Sequence, residues 1–241
     1  MRRLVKRLEH YVLEIEPARG WNQIGSPAMY GHPAFDLFDA IYTTRAMRRL
    51  KPDPVPREIL MRIIEAATMA PSNSNRQPWI FVVVTSTETR QFVADRYKQA
   101  WDAHYMTAEK RHFLETEPDA PQAKNLRSAI YLANHIGEAP VLIFACVKRY
   151  RDRDRAGQPM LGSIYPAVQN LCLAARAYGL GTAITALHKH FADEINPRLG
   201  VPPGYENEVL IPLGYPKGRW DRPARKPAIE VTFFERWGER G

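Results

Sequence analysis

Residues 70–84 read APSNSNRQPWIFVVV: a helix end, a polar loop and an apolar run in direct succession. Trp79–Val84 has the length and β-branched content of a strand buried on both faces. The loop before it carries Ser72, Asn73, Ser74, Asn75 and Gln77, which favour turns and offer many hydrogen-bond donors and acceptors beside an apolar core. Upstream, Pro56 to Ala70 sets Ile59, Leu60, Ile63, Ile64 and Ala67 on one helix face, with Pro56 suited to the first turn.

Working outward, the same alternation of helix and strand recurs. Phe35–Thr43 reads as a helix, and Glu88–Gly137 as two helices broken by Pro118 and Pro121. VLIFACV, residues 141–147, is a second buried strand. A helix over Ser163–Tyr178 ends at Gly179, where a left-handed cap is wanted. A short strand at Thr182–Thr185, a helix at Asp193–Leu199 and strands at Val209–Leu213 and Ile229–Phe234 complete the pattern. A terminal apolar strand needs a sheet edge to join, in this subunit or in a partner's. The domain body is expected over residues 36–241. Residues 1–35 read as a linker, Pro17–Pro33, behind a short amphipathic helix that carries Leu4, Leu8, Tyr11, Val12 and Ile15. That helix either packs on the body or lies on a membrane surface.

The 241 residues are 45% hydrophobic and 25% charged, which excludes collagenous, disordered and disulfide-scaffold classes. The net charge of +8 favours anionic ligands without naming one. Cys146 and Cys172 both sit in apolar stretches, so neither a disulfide framework nor paired zinc cysteines are available, and a reducing, cytoplasmic setting is expected. The longest apolar run, residues 139–147, is too short to cross a bilayer as a helix.

Motifs for hydrolytic triads, zincins, P-loops and dinucleotide-binding glycines are absent. His188 and His190 have unsuitable spacing for a shared metal. Three segments instead suit an anion and a planar ligand. TTRAMRRLKPDPV, residues 43–55, sets Arg45 and Arg48 three apart, and guanidinium groups match phosphate oxygens bidentately; a solvated basic turn is the plainer reading. The 70–79 loop is the second. GYPKGRWDRPARKP, residues 214–227, is the third and is equally suited to nucleic acid.

Taken together and in order, these residues resemble the FMN-dependent nitroreductase family. TRAMRRLKPDPV is similar to its Arg-Arg-Ser-x-Arg segment, APSNSNRQPWIFVVV to its Pro-Ser-x-x-Asn-x-Gln-Pro-Trp loop and strand, AYGLGTAITAL (177–187) to its Gly-Leu-Gly segment, and LGYP with Arg225-Lys226-Pro227 to its C-terminal phosphate arginine. The resemblance implies an α+β fold: a three-layer α/β/α sandwich around a mixed, mainly antiparallel sheet, in an intertwined homodimer with FMN at the subunit interface. It implies that Arg45 and Arg225 meet the FMN phosphate, with the backbone of Ala46. Arg48 would lie at the N1 and O2 edge, where a cation stabilises the reduced flavin. Pro71, Ser72, Asn73 and Asn75 would reach the cofactor from the other subunit, and Thr185, Ala186 and Leu187 would line the ring near N5. Ala46 replaces the usual serine, and Ala186 stands where some members carry glutamate or threonine.

The implied activity is hydride transfer from NADH or NADPH through flavin N5 to an electron-poor acceptor, a nitroaromatic or quinone, by a ping-pong mechanism. Trp101, Tyr105, Phe113 and Tyr131 are candidates to stack on that acceptor, or else core anchors. The deiodinase branch, a reductive dehalogenase, is the alternative. Leu132 and Ala133 stand where that branch would carry its lid lysine. A basic nucleic-acid-binding protein, carried by KRYRDRDR (148–155) and 217–226, is a reading from another class, as is a flavin-binding protein without turnover.

Overall fold

The computed structural model describes residues 33–150 and 158–240, and Pro33–Gly241 forms one compact unit. The expected N-terminal helix and most of the 148–155 basic run lie outside the described residues. No described helix is long and apolar enough to cross a membrane.

Helix α1 spans Leu37–Thr43 and starts where the Asp36 carboxylate accepts the Asp39 amide at 2.9 Å. Helix α2, Arg57–Thr68, follows Pro56 and buries Leu60, Ile63 and Ala67, the stripe that its sequence marks. Strand β1 is Trp79–Val84. The 88–137 region holds three helices rather than two: α3 (Thr87–Ala100), α4 (Ala108–Thr116) and α5 (Pro121–His135). Pro118 falls in the turn between α4 and α5, and Pro121 occupies the first turn of α5, where a missing N–H costs nothing. The extra break is a π-helical turn, Trp101–Tyr105, that no proline announces.

Strand β2, Val141–Lys148, leads to α6 (Leu161–Ala177), and Gly179 takes φ +73° just past its end. Strand β3 is only Gly181–Thr182; α7 is Ala192–Leu199 and β4 is Tyr205–Gly214. The sheet order is β1-β2-β4-β3, and all three pairings are antiparallel. The parallel element is a bridge between Ala46 and Thr182.

Strand alternation divides the core into two layers. Val141, Ile143, Ala145 and Val147 of β2 face α2 and α6 together with Val209, Ile211 and Leu213. Leu142, Phe144 and Cys146 face the other way, onto Val93, Tyr97, Trp101, Leu132 and Ile195 of the other helices. This is the expected three-layer sandwich. Both cysteines are free and buried, and desolvation pushes their thiols up to about 12 for Cys146 and about 11 for Cys172.

Three strand expectations fail, the first being Thr182–Thr185, where the strand is only Gly181–Thr182. β1 is an edge strand, paired only with β2, and Ile80 on it is 51% exposed, so it is not buried on both faces. Residues 229–234 form no strand: Ala228–Val231 is a 3-10 turn, and Ile229, Val231 and Phe234 lie exposed. No described strand edge of this chain receives them.

Candidate functional site

Residues 45–51 are threaded between two parts of the chain. The Met47 amide donates to the Thr182 carbonyl at 2.8 Å, the Lys51 amide to Tyr215 at 2.7 Å, and the Lys217 amide to Arg49 at 2.8 Å. The close approach requires Gly181, because a Cβ there would stand 2.7 Å from the Met47 Cβ. Arg45, Ala46 and Arg48 are thereby set beside the 181–187 segment. The Arg45 Nη2 donates to the Arg219 carbonyl at 3.1 Å, and the half-buried Arg48 sits close enough to Tyr97 to act on it electrostatically.

Thr185 is fixed by paired backbone bonds with Leu210, at 3.0 and 2.9 Å, and its hydroxyl lies 2.8 Å from the Tyr97 hydroxyl. Burial raises the Tyr97 pKa, against the lowering effects of the Thr185 hydrogen bond and of Arg48. Ala186 is exposed and opens the 3-10 turn Leu187–Phe191; Leu187 is half-buried. Tyr97 carries no motif. Its signal was only the Val93, Tyr97, Trp101 spacing that buries one face of α3, and nothing in that spacing names Thr185 as its partner.

A polar cluster backs this turn. Lys189 reaches Glu206 at 2.9 Å and Glu208 at 2.7 Å; Tyr165 donates to Glu208 at 2.8 Å, and Arg149 pairs with Glu206. Burial pulls the Lys189 ammonium down, but the two carboxylates outweigh it and its pKa stands above the ordinary value. His188 is fully inside: its Nε2 lies 3.1 Å from both the carbonyl and the side-chain oxygen of Asn207, Nδ1 has no partner, and burial drops its pKa to about 4. It is a core histidine.

The 71–77 loop is strained. Ser74, Asn75 and Gln77 adopt φ of 52°, 51° and 46°, a region that non-glycine residues rarely take. Ser72 Oγ accepts the Gln77 amide at 3.0 Å, Asn75 Oδ1 accepts from the Gln77 side chain at 3.2 Å, and the Asn73 amide donates to Ser163 Oγ of α6 at 3.3 Å. Pro71, Asn73 and Asn75 present themselves to solvent. These bonds run within the loop and to α6, and none joins the loop to Arg45 or Thr185 of the same chain. Arg225 is exposed and donates to its own neighbour, the Ala224 carbonyl, at 2.8 Å. Within one chain, then, Arg45, Ala46, Arg48, Thr185, Ala186 and Leu187 share a region, while no described hydrogen bond ties the 71–75 loop or Arg225 to it.

The candidate stacking aromatics divide. Trp101 is buried and packs on Tyr105 with centroids 4.4 Å apart and the rings tilted by 36°, so it is a core anchor. Tyr131 has the Arg49 guanidinium 4.1 Å from its centroid and the His135 ring 4.0 Å away at an interplanar angle of 8°. At those heights the two occupy opposite faces, so Tyr131 offers no face to an acceptor. Tyr105 and Phe113 remain partly accessible.

Among the described residues, no carboxylate lies within 4.0 Å of Arg45, Arg48, Arg49, Lys217, Arg219, Arg222 or Arg225. The 148–155 run differs, for its Arg149 is paired with Glu206.

The Nitroreductase family profile matches residues 41–215. Rat iodotyrosine deiodinase 1 is 24% identical over 184 residues, covering 75% of this chain; the chain spans 62% of that relative's length. An NADH dehydrogenase of Thermus thermophilus is 28% identical over 238 residues, covering 84% of this chain and 97% of its own. The fold is shared with the crystal structure of a nitroreductase with bound FMN from Desulfitobacterium hafniense, at TM-score 0.64 and 22% identity, over 82% of this chain and 97% of that one. With a profile match that runs from α1 through β4 and a sheet of the same architecture, this chain belongs to the nitroreductase family.

Proposed function

We propose that this chain is an FMN-dependent oxidoreductase that passes a hydride from NADH or NADPH to an electron-poor acceptor such as a nitroaromatic or quinone. One observation carries the reading: Arg45 and Arg48, which have no carboxylate partner among the described residues, lie on a segment packed against Gly181, with Arg48 near the Tyr97–Thr185 hydroxyl pair. The donor set fits a phosphorylated heteroaromatic group. Arg45, with Arg225, would hold the phosphate; Arg48 would face N1 and O2; the Thr185–Leu187 backbone would lie near N5. When bound, FMN supplies the hydride chemistry, which frees the protein from providing a nucleophile or metal. The chain's own part is to bind, to orient and to keep the Thr185 hydroxyl fixed through Tyr97.

The working unit we infer is a homodimer. α1 leaves Leu37, Phe38, Ile41 and Tyr42 exposed, and the 229–237 segment leaves Ile229, Val231, Phe234 and Trp237 exposed. A groove of about 1010 Å³ lined by Met61, Ile64, Trp79, Phe81 and Val83 runs beside the edge strand β1. A second copy's terminal segment suits that edge, and a second copy would also bring its 71–75 loop to a site that the chain's own loop does not bond to. Buried thiols fit a cytoplasmic setting. For the deiodinase alternative, the positions of interest, Leu132 and Ala133, are buried core residues without a charge to offer a zwitterion.

The test is direct. Purified protein is expected to be yellow, to release FMN on denaturation, and to be reduced anaerobically by NADPH and reoxidised by a nitroaromatic or quinone. A colourless preparation that takes up no FMN overturns the reading; a yellow one without acceptor-dependent turnover reduces it to flavin binding.

A further inference from the structure

Tyr131 holds two positive charges at once. The Arg49 guanidinium lies over its ring at 4.1 Å, and Lys217 Nζ donates to its hydroxyl at 3.2 Å. The three residues come from the 45–51 segment, from α5 and from the loop after β4, and the backbone ties two of them, Lys217 N to Arg49 O at 2.8 Å. The two like charges repel weakly in solvent and would together attract an anion, and no described carboxylate joins them. The His135 ring closes the opposite face, and its Nδ1 is engaged with the Tyr131 carbonyl at 2.8 Å, so the tyrosine is a fixed shelf rather than a mobile side chain. Both cations are exposed. Two residues beyond Lys217, the Arg219 carbonyl receives Arg45, so the shelf adjoins the arginine assigned above to the FMN phosphate without sharing it.

We propose that Arg49 and Lys217, held on Tyr131, form a second phosphate site that recognises the 2′-phosphomonoester of the hydride donor and makes this enzyme select NADPH over NADH. A planar guanidinium and a flexible ammonium together can saturate the oxygens of one terminal phosphate. The tyrosine shelf fixes them before the ligand arrives, so less side-chain freedom is lost on binding. The inference rests on the pyridine-nucleotide reading given under Proposed function.

Binding of 2′,5′-ADP and of its isomer 5′-ADP to the FMN-loaded protein, by titration calorimetry, separates a 2′-phosphate site from any site for phosphate. We expect 2′,5′-ADP to bind about tenfold tighter than 5′-ADP, from one additional charge-assisted contact set. Arg49→Gln, Lys217→Met and Tyr131→Leu each should abolish most of that difference while leaving 5′-ADP binding and the flavin spectrum unchanged. Arg222→Gln, an exposed cation of the same loop off the shelf, should leave the preference intact. In steady state the first two variants should raise KM for NADPH with little change in kcat and leave NADH unaffected. Equal wild-type affinity for the two isomers, an undiminished preference in the shelf variants, or an equal loss in Arg222→Gln overturns the proposal. Because the titration also works on protein without flavin, a failure of the FMN reading shows as an absent spectrum and not as lost 2′,5′-ADP binding.

Discussion

Residues 141–147 and 229–234 are both short apolar runs, and they end in opposite states. VLIFACV is apolar at every position and lies at the centre of the sheet, with Ile143 and Phe144 wholly buried on opposite faces. IEVTFF is interrupted by Glu230 and Thr232; its first three residues belong to a 3-10 turn, and Ile229, Val231 and Phe234 lie exposed. A continuous run finds cover inside its own subunit, because helices of one chain close both faces of the sheet. A run broken by polar residues needs one surface and one ladder from elsewhere. The lesson is that apolar content announces a strand only where a neighbour exists to complete it.

The strongest way to break the comparison is to cut the core of β2. Phe144→Ala removes a fully buried ring from the layer shared with Val93, Tyr97 and Ile195. Loss of the ring and the cavity left behind should cost about 3–5 kcal/mol in urea unfolding. A loss below about 1 kcal/mol would mean that this layer is far looser than its packing.

His188 sharpens the same side of the comparison, since its ring meets Phe144 edge-on at 5.5 Å. Its folded pKa, about 4, lies below the ordinary 6.5, so the unfolded chain binds the extra proton. Stability from keeping it neutral is full above pH 6.5 and declines as pH falls toward 4. Between pH 7 and pH 5 this one group should remove about 2 kcal/mol of unfolding free energy. His188→Gln should lack that share of the acid-side slope, whatever its stability at neutral pH. Equal slopes in the variant and the wild type would place the titration elsewhere.

Much of this was legible in sequence for a physical reason. Helix α2 and strand β2 carry strong periodic signals, and the Gly179 cap follows from a conformation that few other residues take. What was hidden depends on contacts without spacing. Arg49, Tyr131 and Lys217 lie far apart in the chain, as do Tyr97 and Thr185, and only the closed sheet brings each set together. The π turn at Trp101–Tyr105 has no breaker residue to announce it, and so the 88–137 region reads as two helices when it holds three. β3 was overextended because the apolar residues after Thr182 continue as bridges and turns rather than as a ladder. In the loop at 71–77, composition marks a turn, but the left-handed strain at Ser74 and Gln77 arises from bonds closed in three dimensions.

The smallest effect on the single chain tests the exposed half of the comparison. Val231 is 64% exposed, so Val231→Asp removes almost no buried area from the subunit that carries it. Its unfolding free energy measured at a dilution where the protein is monomeric should change by no more than about 0.5 kcal/mol. In an assembled dimer the same substitution would desolvate a carboxylate against Met61, Ile64 and Phe81 of the groove beside β1, a cost that Arg57 or Arg90 of the same groove would offset only in part. Sedimentation equilibrium should then register at least about a tenfold weaker self-association, the ratio that corresponds to roughly 1.4 kcal/mol. The two readings pull apart cleanly. If the segment packs on its own subunit instead, the monomer loses stability and self-association is untouched. If both stay unchanged, the apolar residues of the tail serve neither surface, and the reason for their alternation must be sought outside this fold.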